Sequence, residues 1–336
     1  MRRSINNIKS LLRHVHTSSR VMKSSINKRE ESPLIQRVNQ HVNYKRRFIN
    51  PEKVEVTVPS LPYQAFDMFS AGTRIKPWCL LNLVVSIRLF TQHPAKHTDN
   101  PENSIVDTHI LQRDHLIFAV GFKMNIDRSF HAQDSLKFPL KVLAEFTNAG
   151  KSSGRRVCTV THSSNENRPY IVCEMDEVLV SKETRRPISY PAWWISKFSH
   201  LIKEKNKLIL PKKPTDLPLY KSEIIIEFEH MDHNAHTTMS AYLKFCSNVA
   251  FRIAMERNSR GFTLDNFGAG IKCIHMQFYN ESGYGDKLVV KSWLNEDLPG
   301  QINFELYKLI ESDHETNEVL CCAAFLQFFQ PLMGKL

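Results

Sequence analysis

Residues 222–255 read SEIIIEFEHMDHNAHTTMSAYLKFCSNVAFRIAM and pass from strand through a polar turn into helix. Ile224, Ile226 and Phe228 alternate with Ile225, Glu227 and Glu229, the period of two expected of a strand. From Met239 the period changes: Met239, Tyr242, Leu243, Cys246, Val249, Ala250 and Ile253 recur at spacings of three and four, one apolar seam of a helix. Between the two lies Asp232-His233-Asn234-Ala235-His236, which sets a carboxylate, a carboxamide and an imidazole within five residues. A helix start offers unpaired backbone N–H groups, and acid/base side chains beside such donors suit acyl-transfer chemistry.

Downstream, strands are expected at Gly270–Glu281, Lys287–Asn295, Gln301–Ile310 and Val319–Gln330. The same order precedes it: an apolar helix opened by Pro77, a residue suited to a first helical turn, then strands at His115–Met124, Leu136–Thr147, Arg155–His162 and Tyr170–Val180. One pattern of strand, helix and about four antiparallel strands thus occurs twice, an α+β arrangement in which a helix covers a sheet. Residues 201–218 mix Lys203, Lys205, Lys207, Lys212 and Lys213 with Pro211, Pro214 and Pro218 and read as an exposed linker. The expected organisation is a leader at 1–22, a basic linker at 23–52, a first domain at 53–198, a linker at 199–218 and a second domain at 219–336.

The formal charge is +11, yet residues 1–50 hold twelve Lys/Arg against Glu30 and Glu31, so 33 basic and 32 acidic residues remain for 51–336. A near-neutral body argues against a nucleic-acid ligand, and the basicity belongs to the leader. That leader has no acid before Glu30, repeats Ser and Arg, and spaces Ile5, Ile8, Leu11, Leu12 and Val15 helically, the composition of a mitochondrial presequence; a basic tail touching RNA or anionic lipid is the alternative. The apolar run Cys79 to Ile87 is broken by Asn82 and too short to span a bilayer. Seven cysteines form no C-x-x-C pair, as expected of reduced, buried thiols.

The second half resembles the hotdog-fold thioesterases, among them the acyl-ACP thioesterases, which carry two hotdog units in one chain and an Asp-x-Asn-x-His motif. Asp232, Asn234 and His236 match that motif, Tyr242 follows at the family spacing, and Glu281-Ser282-Gly283 stands where the family has Glu-Cys-Gly. The resemblance implies two tandem hotdog domains forming an internal pseudo-dimer, and hydrolysis of a fatty acyl-CoA or acyl-ACP thioester in the mitochondrial matrix with no cofactor and no metal. It implies Glu281 as general base, Asn234 and His236 positioning water or carbonyl, and Asp232 orienting them or acting itself as the carboxylate. Helix-start N–H groups at Thr237 and Thr238 would receive the oxyanion, the apolar helix seam would line the acyl channel, and two carboxylates in a half-apolar crevice should titrate above their usual range.

Three departures stand out: Thr237-Thr238-Met239 replaces Val-Asn-Asn, Ser282 replaces Cys, and Ala235 replaces the Gly of single-domain relatives. Each residue also has a plainer reading, with Asp232, Thr237 and Thr238 as helix caps, Asn234 in a turn, His236 a structural imidazole and Glu281 a solvated charge. His230, His233 and His236 with Asp232 offer metal ligands, though at no standard zinc spacing. The first half lacks the chemistry: Phe69 and Ala71 fall at the Asp and Asn positions and Gly72-Thr73 at Ala235-His236, with Asp67 a turn residue. Trp193-Trp194 is expected to pack the end of that unit. A non-catalytic hotdog protein binding an acyl chain, a protein or RNA is the rival reading, and a homo-oligomer is compatible with either.

Overall fold

The computed structural model describes residues 38, 41–67, 74–95, 103–132, 137–164, 168–203, 208, 210, 220–256, 262–295, 298–311 and 315–331. The leader at 1–22, most of the 199–218 linker, and Phe69, Ala71, Gly72 and Thr73 lie outside them.

The strands are β1 (Lys45–Asn50), β2 (Lys53–Val58), β3 (Phe66–Asp67), β4 (Arg74–Ile75), β5 (His115–Ile126), β6 (Leu140–Ala149), β7 (Ser153–His162), β8 (Ile171–Ser181), β9 (Tyr220–Ile225), β10 (Ile271–Phe278), β11 (Lys287–Leu294), β12 (Gln301–Glu311) and β13 (Thr316–Phe328). Helices α1 (Pro77–Gln92), α2 (Thr108–Asp114), α3 (Ala192–Lys197), α4 (Met239–Met255) and α5 (Leu264–Ala269) accompany them.

Eleven strands form one antiparallel sheet in the order β1-β2-β6-β7-β8-β5-β10-β13-β12-β11-β9. Read inward from β2 and from β9, the two sides repeat one order: first strand, then third, fourth, fifth and second. They meet at the β5–β10 ladder, where Cys273 opposes Asn125 and His275 opposes Lys123. Helix α1 packs on β6, α4 packs on β9 and β11, and the two helices touch each other. Strand β6 alternates buried and half-buried residues, as a sheet with one face against a helix should, whereas β10 at the middle buries Ile274, His275 and Met276 in succession. One continuous apolar core runs through both sides.

Local chemistry accounts for the element ends. Pro77 opens α1, where its missing N–H costs nothing. The Thr238 hydroxyl accepts the Ala241 N–H at 3.1 Å and caps α4. Buried Trp194 donates its indole N–H to Val106 O at 2.8 Å and stacks on Tyr190, so it packs as expected, whereas its neighbour Trp193 is exposed. No helix among the described residues is long and apolar enough to cross a membrane.

Several expectations change. Residues 45–50 fall in the stretch read as a linker but form β1, and Arg46 is buried with its guanidinium donating to Phe90 O and His93 O. Strand β2 buries Val54, Val56 and Val58 in alternation, between Pro51 and Pro59, which make this stretch read as irregular chain. Phe228 does not continue the inward face: Glu227 caps a 3-10 turn over Phe228–His230 that ends the alternation, leaving Phe228 85% exposed. Strand β10 stops at Phe278, so Glu281 sits in the following turn.

Candidate active site

The turn before α4 is built around Asp232. Its Oδ1 accepts the backbone N–H groups of Asn234 (2.8 Å) and His236 (3.1 Å), while Asp232 N–H reaches His236 O at 2.8 Å. Ala235 takes φ +60, the left-handed conformation that lets the loop close on itself. Asp232 therefore positions Asn234 and His236 through their backbone amides, an Asx-type turn, and among the described residues it makes no hydrogen bond to the Asn234 carboxamide or the His236 ring. The Asn234 carboxamide makes no hydrogen bond among the described residues.

On the adjoining turn after β10, Ser282 is buried and central. Its hydroxyl lies 2.7 Å from both Thr237 Oγ1 and Tyr242 Oη, and its carbonyl accepts from the Thr237 N–H at 2.9 Å and the Thr237 hydroxyl at 3.1 Å. Ser282 and Tyr242 thus lock the two turns together. The same bonds correct the oxyanion expectation for the two threonines: Thr237 N–H is given to Ser282 O, and Thr238 N–H to His230 O at 2.8 Å. An amide already bonded to a carbonyl has no hydrogen left for a substrate.

With the turns so fixed, His236 Nε2 stands 3.2 Å from Glu281 Oε2. A third group joins them from the other side of the sheet. Arg185, in the turn that follows β8, places Nη2 2.6 Å from Glu281 Oε1 and 2.7 Å from His236 Nε2. Phe118 of β5 forms the floor beneath both: its ring meets the His236 ring edge-on at 5.7 Å and carries the Arg185 guanidinium at 5.0 Å. Nε2 can accept from Arg185 or donate to Glu281, but not both at once.

The electrostatics correct the expectation of a raised carboxylate. The hydrogen bond from His236, with that from Arg185 and both nearby charges, outweighs desolvation and holds Glu281 down to about 2. The side chain is 53% exposed, so the group is reachable from solvent. The α4 seam is likewise different from an open channel: Leu243, Cys246, Val249, Ala250 and Ile253 are packed into the core. A surface groove of about 470 Å³ lies elsewhere, along Lys221, Glu223, Val289, Leu309 and Glu318.

The histidine series does not converge. His230 is buried in the turn before the motif, its Nδ1 accepting from Glu227 N–H at 3.0 Å and its ring edge-on to Phe245, while His236 faces Glu281. Among the described residues no three His, Cys, Asp or Glu groups are placed to hold a metal. Asp67 pairs with Arg74 at 3.6 Å in the β3–β4 ladder.

Sequence reasoning brought His236 and Glu281 together correctly but missed Arg185 and Phe118. Lys182-Glu-Thr-Arg185-Arg-Pro187 reads only as a polar turn, and nothing local signals a partner 51 residues away.

No protein-family model matches the chain, and no curated protein matches it in sequence. Solved structures do share its fold. A 12:0-ACP thioesterase from Umbellularia californica superposes with TM-score 0.59 at 11% identity, covering 84% of this chain and 99% of that one. An acyl-ACP thioesterase from Bacteroides thetaiotaomicron gives TM-score 0.55 at 13% identity, over 82% of this chain and 98% of that one. A protein described as an oleoyl thioesterase, from Lactobacillus plantarum, gives 0.57 at 13%, over 83% and 95%. The chain shares the hotdog-type α+β fold of these structures.

Proposed function

We propose that this chain is an acyl thioesterase that hydrolyses fatty acyl-CoA or acyl-ACP thioesters. The reading rests above all on the His236–Glu281 pair at the start of α4, beside a wall supplied by the other side of the sheet. The hotdog fold shared with solved thioesterases supports it. The repeated strand order on either side of the β5–β10 ladder supports two tandem hotdog units, about 53–198 and 219–336, paired as an internal dimer. The first unit then serves the site through Phe118 and Arg185, and the second carries the acid/base groups.

In this account the thioester carbonyl lies over Phe118 at the start of α4. Glu281 takes the proton of the attacking water, and His236 holds that water in line. Entry of the substrate separates Glu281 from Arg185 and His236, which returns its carboxylate toward the ordinary value of ~4.3 and makes it a competent base. The acyl chain enters by displacing side chains of the packed α4 seam. The basic, acid-poor leader supports delivery to the mitochondrial matrix.

A non-catalytic hotdog protein binding an acyl chain, a protein or RNA is the second reading. The held-down Glu281 and the packed seam favour it. Thiol release from a panel of acyl-CoAs and acyl carrier proteins, with protein lacking residues 1–22, separates the two. Turnover above the uncatalysed rate on any of them is expected; none from folded protein selects the binding protein.

A further inference from the structure

The amides of Thr237 and Thr238 are consumed within the protein, which removes the two donors the sequence offered for the charge that develops on a thioester oxygen. Arg185 is the cation in direct contact with both His236 and Glu281. Its backbone is held by a closed turn, Arg185 N–H to Ser181 O and Ser181 N–H to Arg186 O, each 3.0 Å, with φ +54 at Arg185 itself. Its side chain rests on the Phe118 ring beneath the imidazole. A guanidinium has five N–H donors in a rigid plane, and only Nη2 is engaged among the described residues, which leaves Nη1 and Nε for a ligand.

We propose that Arg185 is a catalytic residue of the thioester hydrolysis, donating to the substrate carbonyl oxygen from the opposite side of the sheet. This rests on the thioesterase reading above. Water gives a proton to Glu281 as its oxygen bonds to the carbonyl carbon. The C=O π pair moves onto oxygen, and the resulting alkoxide is held by Arg185 N–H groups. The pair then reforms the C=O and breaks the C–S bond. The leaving thiolate takes the proton back from Glu281, so one water and one thioester become one carboxylic acid and one thiol. A fixed donor aimed at such an oxyanion is worth about 10²–10³ in rate. Placing it on the other side of the sheet makes the site incomplete without the β5–β10 pairing, since Phe118 lies on β5 and Arg185 in the turn after its neighbour β8.

The test uses the full chain as wild type, Arg185→Gln and Arg185→Lys, and two stable analogues of acyl-CoA. One is an alkyl-CoA thioether that lacks the carbonyl. The other is a difluoroketone, CF2 in place of sulfur, which hydrates to a tetrahedral diol. Wild type should bind the difluoroketone the more tightly. Arg185→Gln should weaken the difluoroketone about a hundredfold and leave the thioether within about threefold, with Arg185→Lys between, since an ammonium keeps the charge but not the fork. Equal weakening of both analogues, or of neither, overturns the role of Arg185 and leaves the thioesterase reading standing. Wild-type protein that binds neither analogue and turns over no thioester overturns both.

Discussion

Arg185 Nη2 and Glu281 Oε1 meet at 2.6 Å although 96 residues separate them and they belong to opposite sides of the central β5–β10 ladder. This contact joins the turn after β8 to the His236–Glu281 pair, and it sets the charge state of that pair.

Glu281 is therefore expected to stay ionised well below the usual carboxylate range in the resting protein, held first by His236 and then by Arg185. Its folded value of about 2 lies below its unfolded one, so the carboxylate form favours the native state above the unfolded value and this is lost as pH falls. Carboxyl 13C shifts should show little titration of Glu281 between pH 6 and 4 in wild type. In Arg185→Gln the midpoint should rise, while His236 still holds it below the usual carboxylate range. Titration near 4 in both proteins contradicts the pairing.

A second set of charges is buried out of reach of solvent. Glu177 of β8 is bonded to Arg88 of α1 and lies 3.5 Å from Arg156 of β7, while Gln92 donates to it at 3.3 Å. Burial alone would raise this carboxyl, but Arg156 and Arg88 hold it down to about 2. Glu177→Gln strands two buried guanidinium groups and should cost about 3–5 kcal/mol in urea unfolding at pH 7. Two buried imidazoles add an acid dependence at higher pH. Burial, with Arg88 and other cations, pushes His93 down to about 4, and burial with Lys123 does the same to His275. The unfolded chain binds these protons first, so stability should fall as pH drops from about 6.5 to 4. The Glu177 contribution is complete above about 4.5 and is lost only below that. Urea midpoints that do not change between pH 7 and 4.5 refute the histidine part.

Ser282 tests the coupling of the two turns. Ser282→Ala leaves the Tyr242 and Thr237 hydroxyls short of a buried partner and should cost about 1–3 kcal/mol. Because those bonds fix His236 relative to Glu281, kcat should fall by more than KM changes. Unaltered stability and unaltered kcat show that the two turns are held by other contacts.

The helix seam at Met239–Ile253 and the long strands were legible because a single period persists through each. The repeated order was legible too, since both sides read as a helix followed by four strands. What failed was local competition and long-range pairing. Glu227 ended the β9 alternation with a turn and turned Phe228 outward, and prolines on either side hid β2. Asp232 was readable as a turn residue or a catalytic one, and its bonds to two backbone amides show the turn role. Glu281 was placed correctly beside His236, but its direction of titration was not, because the sequence holds no trace of Arg185 arriving from across the sheet.

The most direct measurement is kcat for Glu281→Gln beside wild type on the preferred acyl thioester, with native fold checked by circular dichroism. The account predicts a fall of at least about a hundredfold, the usual effect of losing a positioned acid/base group, with KM little changed. A variant that retains turnover within a few-fold of wild type contradicts it.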